Sequence, residues 1–253
     1  MPKIIAVANQ KGGVGKTFLV FHLAHFLKEK GAKVLAIDLD PQGNLSLCFY
    51  LNQGRIPEGC PVAQVFENEE LPVEEIEEGL FLAASNIHLA RYEAASSGVG
   101  VYFKLKKGLK KLFEQEDFDL VLMDCPPSLG LFSLSAFVAA EKILVPLRTE
   151  IFSVSGLGDL LNVVNEVREE INPRLEIVGL VLNAVNPRTK VARETTEELS
   201  SQGLPILATI PASIKAEEAL RAGKPLWRLE PSHKVAQALK EALQKVSQKV
   251  FSS

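Results

Sequence analysis

The sequence predicts an α/β fold, a doubly wound, mostly parallel sheet. Three observations predict it. Continuously apolar runs of strand length alternate with stretches of helical period. A Gly-rich loop joins the first apolar run to the first helical stretch. Two later runs end in Asp38 and Asp124, where a parallel sheet presents the carboxyl ends of its strands to a ligand.

The apolar runs fall at 4–8, 34–37, 80–82, 120–123, 143–145, 177–182 and 206–208. They do not alternate with polar residues, which marks strands buried on both faces. Helical patterns at 18–30, 102–113, 131–140, 154–171 and 191–201 separate most of them. A last one at 234–250 places Val235, Leu239, Leu243, Val246 and Val250 on one face. The section at 51–79 carries Pro57, Pro61 and Pro72 and an acidic cluster from Glu67 to Glu78, and reads as a surface excursion with short helices. The expectation is a single P-loop ATPase domain over 1–253.

Composition narrows the partners. An apolar fraction of 47% is ample for a packed core, and the net charge of −3 confines any nucleic-acid contact to local patches. No apolar run approaches the ~20 residues of a membrane span. The start of the chain lacks a charged-then-apolar leader, and Cys48, Cys60 and Cys125 show no metal-type spacing, so a reducing cytoplasm is expected. Cys125 reads as a small buried hydrophobe rather than a cluster ligand.

Chemistry concentrates in three motifs. In Gln10-Lys11-Gly12-Gly13-Val14-Gly15-Lys16-Thr17, glycines let successive backbone N–H groups turn towards a phosphate chain, and the following helix adds its positive end. Lys16 reaches the β- and γ-phosphates of ATP and the Thr17 hydroxyl holds Mg²⁺. Gln10 stands where an ordinary P-loop has glycine, and Lys11 is an additional lysine. From the loop entrance Lys11 cannot repeat the work of Lys16 on the same nucleotide. It can reach across a two-fold interface, as an arginine finger does, which predicts ATP-dependent homodimers. The second motif, Asp38-Leu39-Asp40-Pro41-Gln42-Gly43-Asn44, offers Asp40 to position a water at the γ-phosphate, with Asp38 supporting the loop. The third, Leu120-Val121-Leu122-Met123-Asp124, offers a carboxylate to a water on Mg²⁺.

These motifs together resemble the ParA/Soj/MinD group of deviant-Walker ATPases. The resemblance extends through Asp124-Cys125-Pro126-Pro127-Ser128-Leu129-Gly130, Glu150 to Leu157, and Ile210 to Ala219 with Gly223-Lys224-Pro225, and covers 2–246. The chromosome and plasmid partition branch fits best. It implies an ATP-bound sandwich dimer that binds DNA without sequence preference, sits on the nucleoid, and is triggered to hydrolyse ATP by a ParB-type activator. Residue by residue, it implies Lys11 acting in trans, Gly12, Gly13, Val14, Gly15, Lys16 and Thr17 as the phosphate cradle, and Asp40 placing the water. Asn183 and the segment Pro211 to Ser213 resemble the part that holds adenine. Phe18 occupies the place of a second threonine at the α-phosphate, where its backbone N–H still serves. Ala212-Ser213 replaces Arg-Asn, Leu220 replaces a proline, and Asn186 replaces an aspartate.

Basic residues cluster late in the chain, and without interleaved aromatics they suit phosphate-backbone contact. Lys215 resembles a DNA-binding arginine of the family, and Arg188, Arg221 and Lys224 join it as candidates. Three rival readings remain: a MinD-like membrane ATPase, a positioner of a protein cargo on the nucleoid, and a small-molecule kinase or ligase. The final helix carries one aromatic, Phe251, and a stripe suited to packing on its own domain, so no stable membrane association is expected.

Overall fold

The computed structural model describes residues 1–56, 59–95, 98–149, 155–186, 189–201 and 203–251. Its strands are β1 (Lys3–Val7), β2 (Val34–Asp38), β3 (Glu74–Glu77), β4 (Leu80–Ala83), β5 (Leu120–Asp124), β6 (Lys142–Leu147), β7 (Glu176–Val185) and β8 (Ile206–Pro211). The helices are α1 (Lys16–Lys28), α2 (Asn44–Leu51), α3 (Gln64–Asn68), α4 (Ala90–Ala95), α5 (Lys104–Phe113), α6 (Leu131–Ala139), α7 (Ser155–Glu170), α8 (Lys190–Ser201), α9 (Ile214–Arg221), α10 (Leu226–Leu229) and α11 (Lys234–Phe251). Among the described residues, no helix is long and apolar enough to cross a membrane.

The strands form one sheet in the order β3-β4-β2-β5-β1-β6-β7-β8. Every pairing is parallel except β3 with β4. Val7 and Asp38 both pair with Asp124, so the P-loop strand and the two acid-bearing strands end level at the middle of the sheet. The central strands look uniformly apolar because both faces are covered. Leu35, Ile37, Val121, Met123 and Val145 enter one core with α5 to α7, while Ala36, Leu120, Leu122 and Leu144 enter another with α1 and α11.

Several elements depart from the sequence expectation, among them the short helix α4. Strand β3 is absent from it, because Glu74, Glu75 and Glu77 flank a single buried residue, Ile76, at the sheet edge. Helix α2 starts from Gly43 in the left-handed region (φ 64°) and is too uniformly apolar to show a period. Helices α9 and α10 are short: α9 starts from the extended Ser213 cap just after β8, and α10 follows the turn at 222–224. The 51–79 section also does more than cover the surface: Val62, Val65, Phe66 and Leu71 are buried in the first core, with Phe66 edge-on to Phe132. Pro57 lies outside the described residues.

Helix α1 carries two buried histidines. The His22 ring sits 2.9 Å from the Phe18 carbonyl through Nδ1, and its Nε2 accepts from the Leu226 N–H at 3.4 Å, which assigns the proton to Nδ1. His25 packs against Phe21 and Phe49 with neither ring nitrogen hydrogen-bonded. Burial lowers the His22 pKa to about 4 and the His25 pKa to about 3. Nearby, α10 is clamped to the end of α1: Trp227 Nε1 donates to Glu29, and Arg228 pairs with Glu29 and Glu77. Gly223 lets this segment lie on α2, since a Cβ there would meet the Cys48 carbonyl at 2.5 Å and the Asn52 nitrogen at 2.6 Å.

Candidate nucleotide site

The P-loop leaves β1 and turns into α1 through Gly13 (φ 72°) and Gly15 (φ 100°). A side chain at Gly15 would place Cβ 1.9 Å from the Asn183 amide nitrogen. That nitrogen donates to the Val14 carbonyl at 3.1 Å, so the end of β7 braces the loop from behind. Asn9 braces it from β6, donating to the Pro146 carbonyl at 2.8 Å and accepting the Lys11 N–H at 2.9 Å. Lys16 closes the ring, its Nζ donating to the Asn9 carbonyl (3.1 Å) and the Lys11 carbonyl (3.3 Å). Helix α1 has no side-chain cap and no acid in its first turn, so its leading N–H groups face an anion unopposed. Burial lowers the Lys16 pKa, while Asp124, Cys125 and Asp40 raise it.

The carboxylates stand opposite. Thr17 Oγ1 donates to Asp124 Oδ2 at 2.6 Å. Asp124 Oδ1 is buried and has no hydrogen-bond partner. Burial and the neighbouring Asp38 hold the Asp124 carboxyl well above the usual carboxylate range, against the pull of Thr17 and Lys16. A buried, under-compensated carboxylate beside a hydroxyl is a hard-oxygen donor set that suits a hydrated Mg²⁺. The residues present therefore fit the metal. Cys125 is fully buried, its thiol pushed up by burial, as a packing residue would be.

Asp38 organises the loop that carries Asp40. It accepts the Ser46 N–H (2.8 Å), the Ser46 hydroxyl (2.7 Å) and the Asp40 N–H (3.1 Å). Burial raises its pKa to about 6, opposed by the Ser46 bonds. Ser46 Oγ also accepts the Ser85 N–H at 2.8 Å, and Ser85 Oγ donates to the Asp40 carbonyl at 3.1 Å. Asp40 itself accepts the Gln42 N–H and keeps its carboxylate at the cavity wall.

Gly12, Gly13, Gly15, Lys16, Thr17 and Phe18 share one cavity of about 950 Å³ with Asp40, Asn183, Pro211 and Ser213. Val14 is buried and contributes its carbonyl, and Lys11 contributes the carbonyl that holds Lys16. Ser213 caps α9 by accepting the Ala216 N–H. Of the basic candidates, Lys215 and Arg221 lie on α9 and Lys224 lies just after it. Arg221 lines the nucleotide cavity, Lys224 is exposed beyond α9, and Arg188 lies outside the described residues, as do Glu150 to Val154. Lys215 is bracketed by Glu218 at 2.9 Å and Glu230 at 3.6 Å. Sequence reasoning missed Arg148, Thr149 and Glu217, which also line the cavity. Arg148 and Thr149 follow an apolar strand at its carboxyl end, and that position was the available signal.

Comparison with known proteins shows the family and the fold. A family model described as an AAA domain matches residues 2–177. The chromosome-partitioning ATPase Soj of Thermus thermophilus is 34% identical over 97% of this chain and 96% of its own length. The chain belongs to the ParA/Soj family of ATPases. The chromosome partitioning protein ParA of Caulobacter vibrioides is 32% identical over 88% of this chain and 86% of its own. Among solved structures, a cobyrinic acid a,c-diamide synthase from Mycobacterium smegmatis with bound ADP and magnesium superposes with a TM-score of 0.82. It is 33% identical and covers 98% of this chain and 95% of that one. Thus this ParA/Soj-family ATPase shares its whole fold with nucleotide-bound relatives.

Proposed function

We propose that this chain is a ParA-type partition ATPase: it binds MgATP, dimerises around it, holds DNA without sequence preference, and releases it on hydrolysis. The supporting observation is convergence. A braced P-loop, the Thr17–Asp124 pair and the Asp40 loop face one cavity at the level ends of β1, β2 and β5. Gly12 to Thr17 and the Phe18 N–H cradle the phosphates, and Lys16 moves from its backbone carbonyls onto the β- and γ-oxygens. Thr17 would hold Mg²⁺ directly and Asp124 through water, and the ion bound there would supply positive charge against the phosphates. Asp40 orients a water whose oxygen attacks the γ-phosphorus as the bond to the bridging oxygen breaks, leaving ADP and phosphate. Lys11 reaches the nucleotide of a second protomer, and turnover is slow until a ParB-type protein supplies what is missing. Asn183 and Pro211 to Ser213 flank the adenine.

Asp40→Ala is expected to retain ATP and accumulate as a dimer. Size-exclusion chromatography with ADP or ATP, with and without random-sequence duplex DNA, tests this, and an ATP-loaded monomer would remove Asp40 from the role. The DNA step has its own test. Lys215 sits between two carboxylates, so Glu218→Gln with Glu230→Gln is expected to strengthen retention on duplex DNA several-fold at low salt, and Lys215→Glu to weaken it. Retention unchanged in both would take Lys215 out of the surface.

A second reading, a small-molecule ligase or kinase, draws on the cavity. It continues beyond the P-loop between α2 and α9, past Leu47, Leu51 and Leu220, and the related synthase is named for such chemistry. ADP release stimulated by a small acid in the absence of DNA would favour it.

A further inference from the structure

We propose that Arg148 is a nucleotide-contacting residue, a second cationic side chain that binds the phosphate portion of the nucleotide from the end of β6 and is parked on Glu217 until the nucleotide arrives. The inference rests on the nucleotide-binding reading above and adds a residue that neither the motifs nor the resemblance supplies.

Strand order puts Arg148 at the site. β6 lies directly beside the P-loop strand, with the Ala8 N–H bonded to the Leu144 carbonyl at 3.1 Å and Asn9 reaching the Pro146 carbonyl. On its other side, Leu147 pairs with Leu182 of β7. The chain therefore emerges at position 148 between the P-loop entrance and Asn183. Strand alternation sets the face. Leu144 belongs to the core beneath α1, whereas Val145 and Leu147 belong to the opposite core, so position 148 returns to the α1 side. The guanidinium follows, lying 3.8 Å from Glu217 in the first turn of α9.

Charge and geometry supply the role. Among the described residues, the charged side chains lining the cavity are Lys16, Arg148 and Arg221 against Asp40 and Glu217. The Arg148–Glu217 pair is long, and its side chains are 36% and 61% exposed, so it is a weak, water-screened contact. A phosphate carries more charge than a carboxylate and matches the planar guanidinium fork with two parallel hydrogen bonds. It competes with Glu217 for the guanidinium and offers it the better-matched partner.

Isothermal titration with Mg-ADP tests this on the full chain. Arg148→Gln is expected to weaken ADP about tenfold, the share of one charge-assisted hydrogen bond. Arg148→Lys keeps the charge without the fork and should fall between Gln and wild type. Glu217→Gln removes the competitor and should bind ADP at least as tightly as wild type. Adenosine, measured by displacement of a fluorescent ADP, should bind Arg148→Gln and wild type alike. Arg148→Gln within twofold of wild type for ADP, or an equal loss for ADP and adenosine, overturns the inference. If Lys16→Ala abolishes binding while Arg148→Gln changes nothing, the nucleotide site stands without Arg148. A wild-type chain that binds no Mg-ADP overturns the nucleotide reading itself and this inference with it.

Discussion

Gly15→Ala is expected to lower MgATP affinity by about 100-fold or more. Two independent obstacles meet at this position. The backbone is at φ 100°, where an L side chain is strained by about 1–3 kcal/mol. The new Cβ would also lie 1.9 Å from Asn183 Nδ2 and 2.9 Å from its Cγ. Asn183 must swing away, which breaks its bond to the Val14 carbonyl and frees the loop that has to present its N–H groups in register. Gly12→Ala is the contrast. No atom lies within 4 Å of a Cβ there and φ is not positive, so the nucleotide-free chain should melt as wild type does. Thermal melts without ligand and titration with MgATP separate the two. Adding Asn183→Ala to Gly15→Ala relieves the collision and should recover part of the melting temperature. If Gly15→Ala alone melts and binds like wild type, the bracing of the P-loop by β7 is wrong.

The second large effect is on stability in mild acid. His22 and His25 are neutral in the fold, with pKa values of about 4 and about 3 against 6.5 when exposed. Below pH 6.5 the unfolded chain takes up protons that the folded chain refuses, so each histidine subtracts stability as pH falls towards its folded value. By pH 5 the cost is about 2 kcal/mol per histidine. Two buried carboxyls act in the opposite sense. Asp38, raised to about 6, and Asp124, also raised, bind protons in the fold first and add stability over part of the same range. The wild-type slope is therefore a partial cancellation, and the difference between variants is the clean measure. His25→Phe suits the test, because the ring sits between Phe21 and Phe49 and neither nitrogen is bonded. Its charged surroundings, Glu77, Arg228, Lys28 and His22, remain. Urea unfolding at pH 7.5 and pH 5 is expected to show the variant gaining about 2 kcal/mol on wild type at the lower pH. Equal slopes for the two chains would mean that His25 is protonated in the fold.

Much of this was legible in the sequence, and the reasons differ by element. The central strands were visible because burial on both faces leaves no room for polar residues, as in Val34 to Ile37 and Leu120 to Met123. The P-loop, Asp40 and Asp124 were visible because each sits in a contiguous motif fixed by a turn or a strand end. Strand β3 was not, because an edge strand needs only Ile76 buried and its glutamates resemble a loop. The meeting of Arg148 with Glu217 could not be read either. The two lie far apart along the chain, on β6 and α9, and only the strand order brings them to one rim. The asparagine at 183 was read by resemblance as part of the adenine site, while its hydrogen bond to the P-loop depends on a register no local pattern encodes.

Strand β3 also constrains how copies of this molecule assemble. It is four residues long, antiparallel to its neighbour, shifted in register against β4, and studded with Glu74, Glu75 and Glu77. A short, irregular, negatively charged border is a poor template for another backbone, so the sheet does not extend sideways from one molecule into the next at this end. Growth by lateral strand addition, the usual beginning of fibrous aggregates, is blocked there. Association on this flank must instead go through side chains and the loops above the strands, where contacts can be made and unmade without disturbing the sheet.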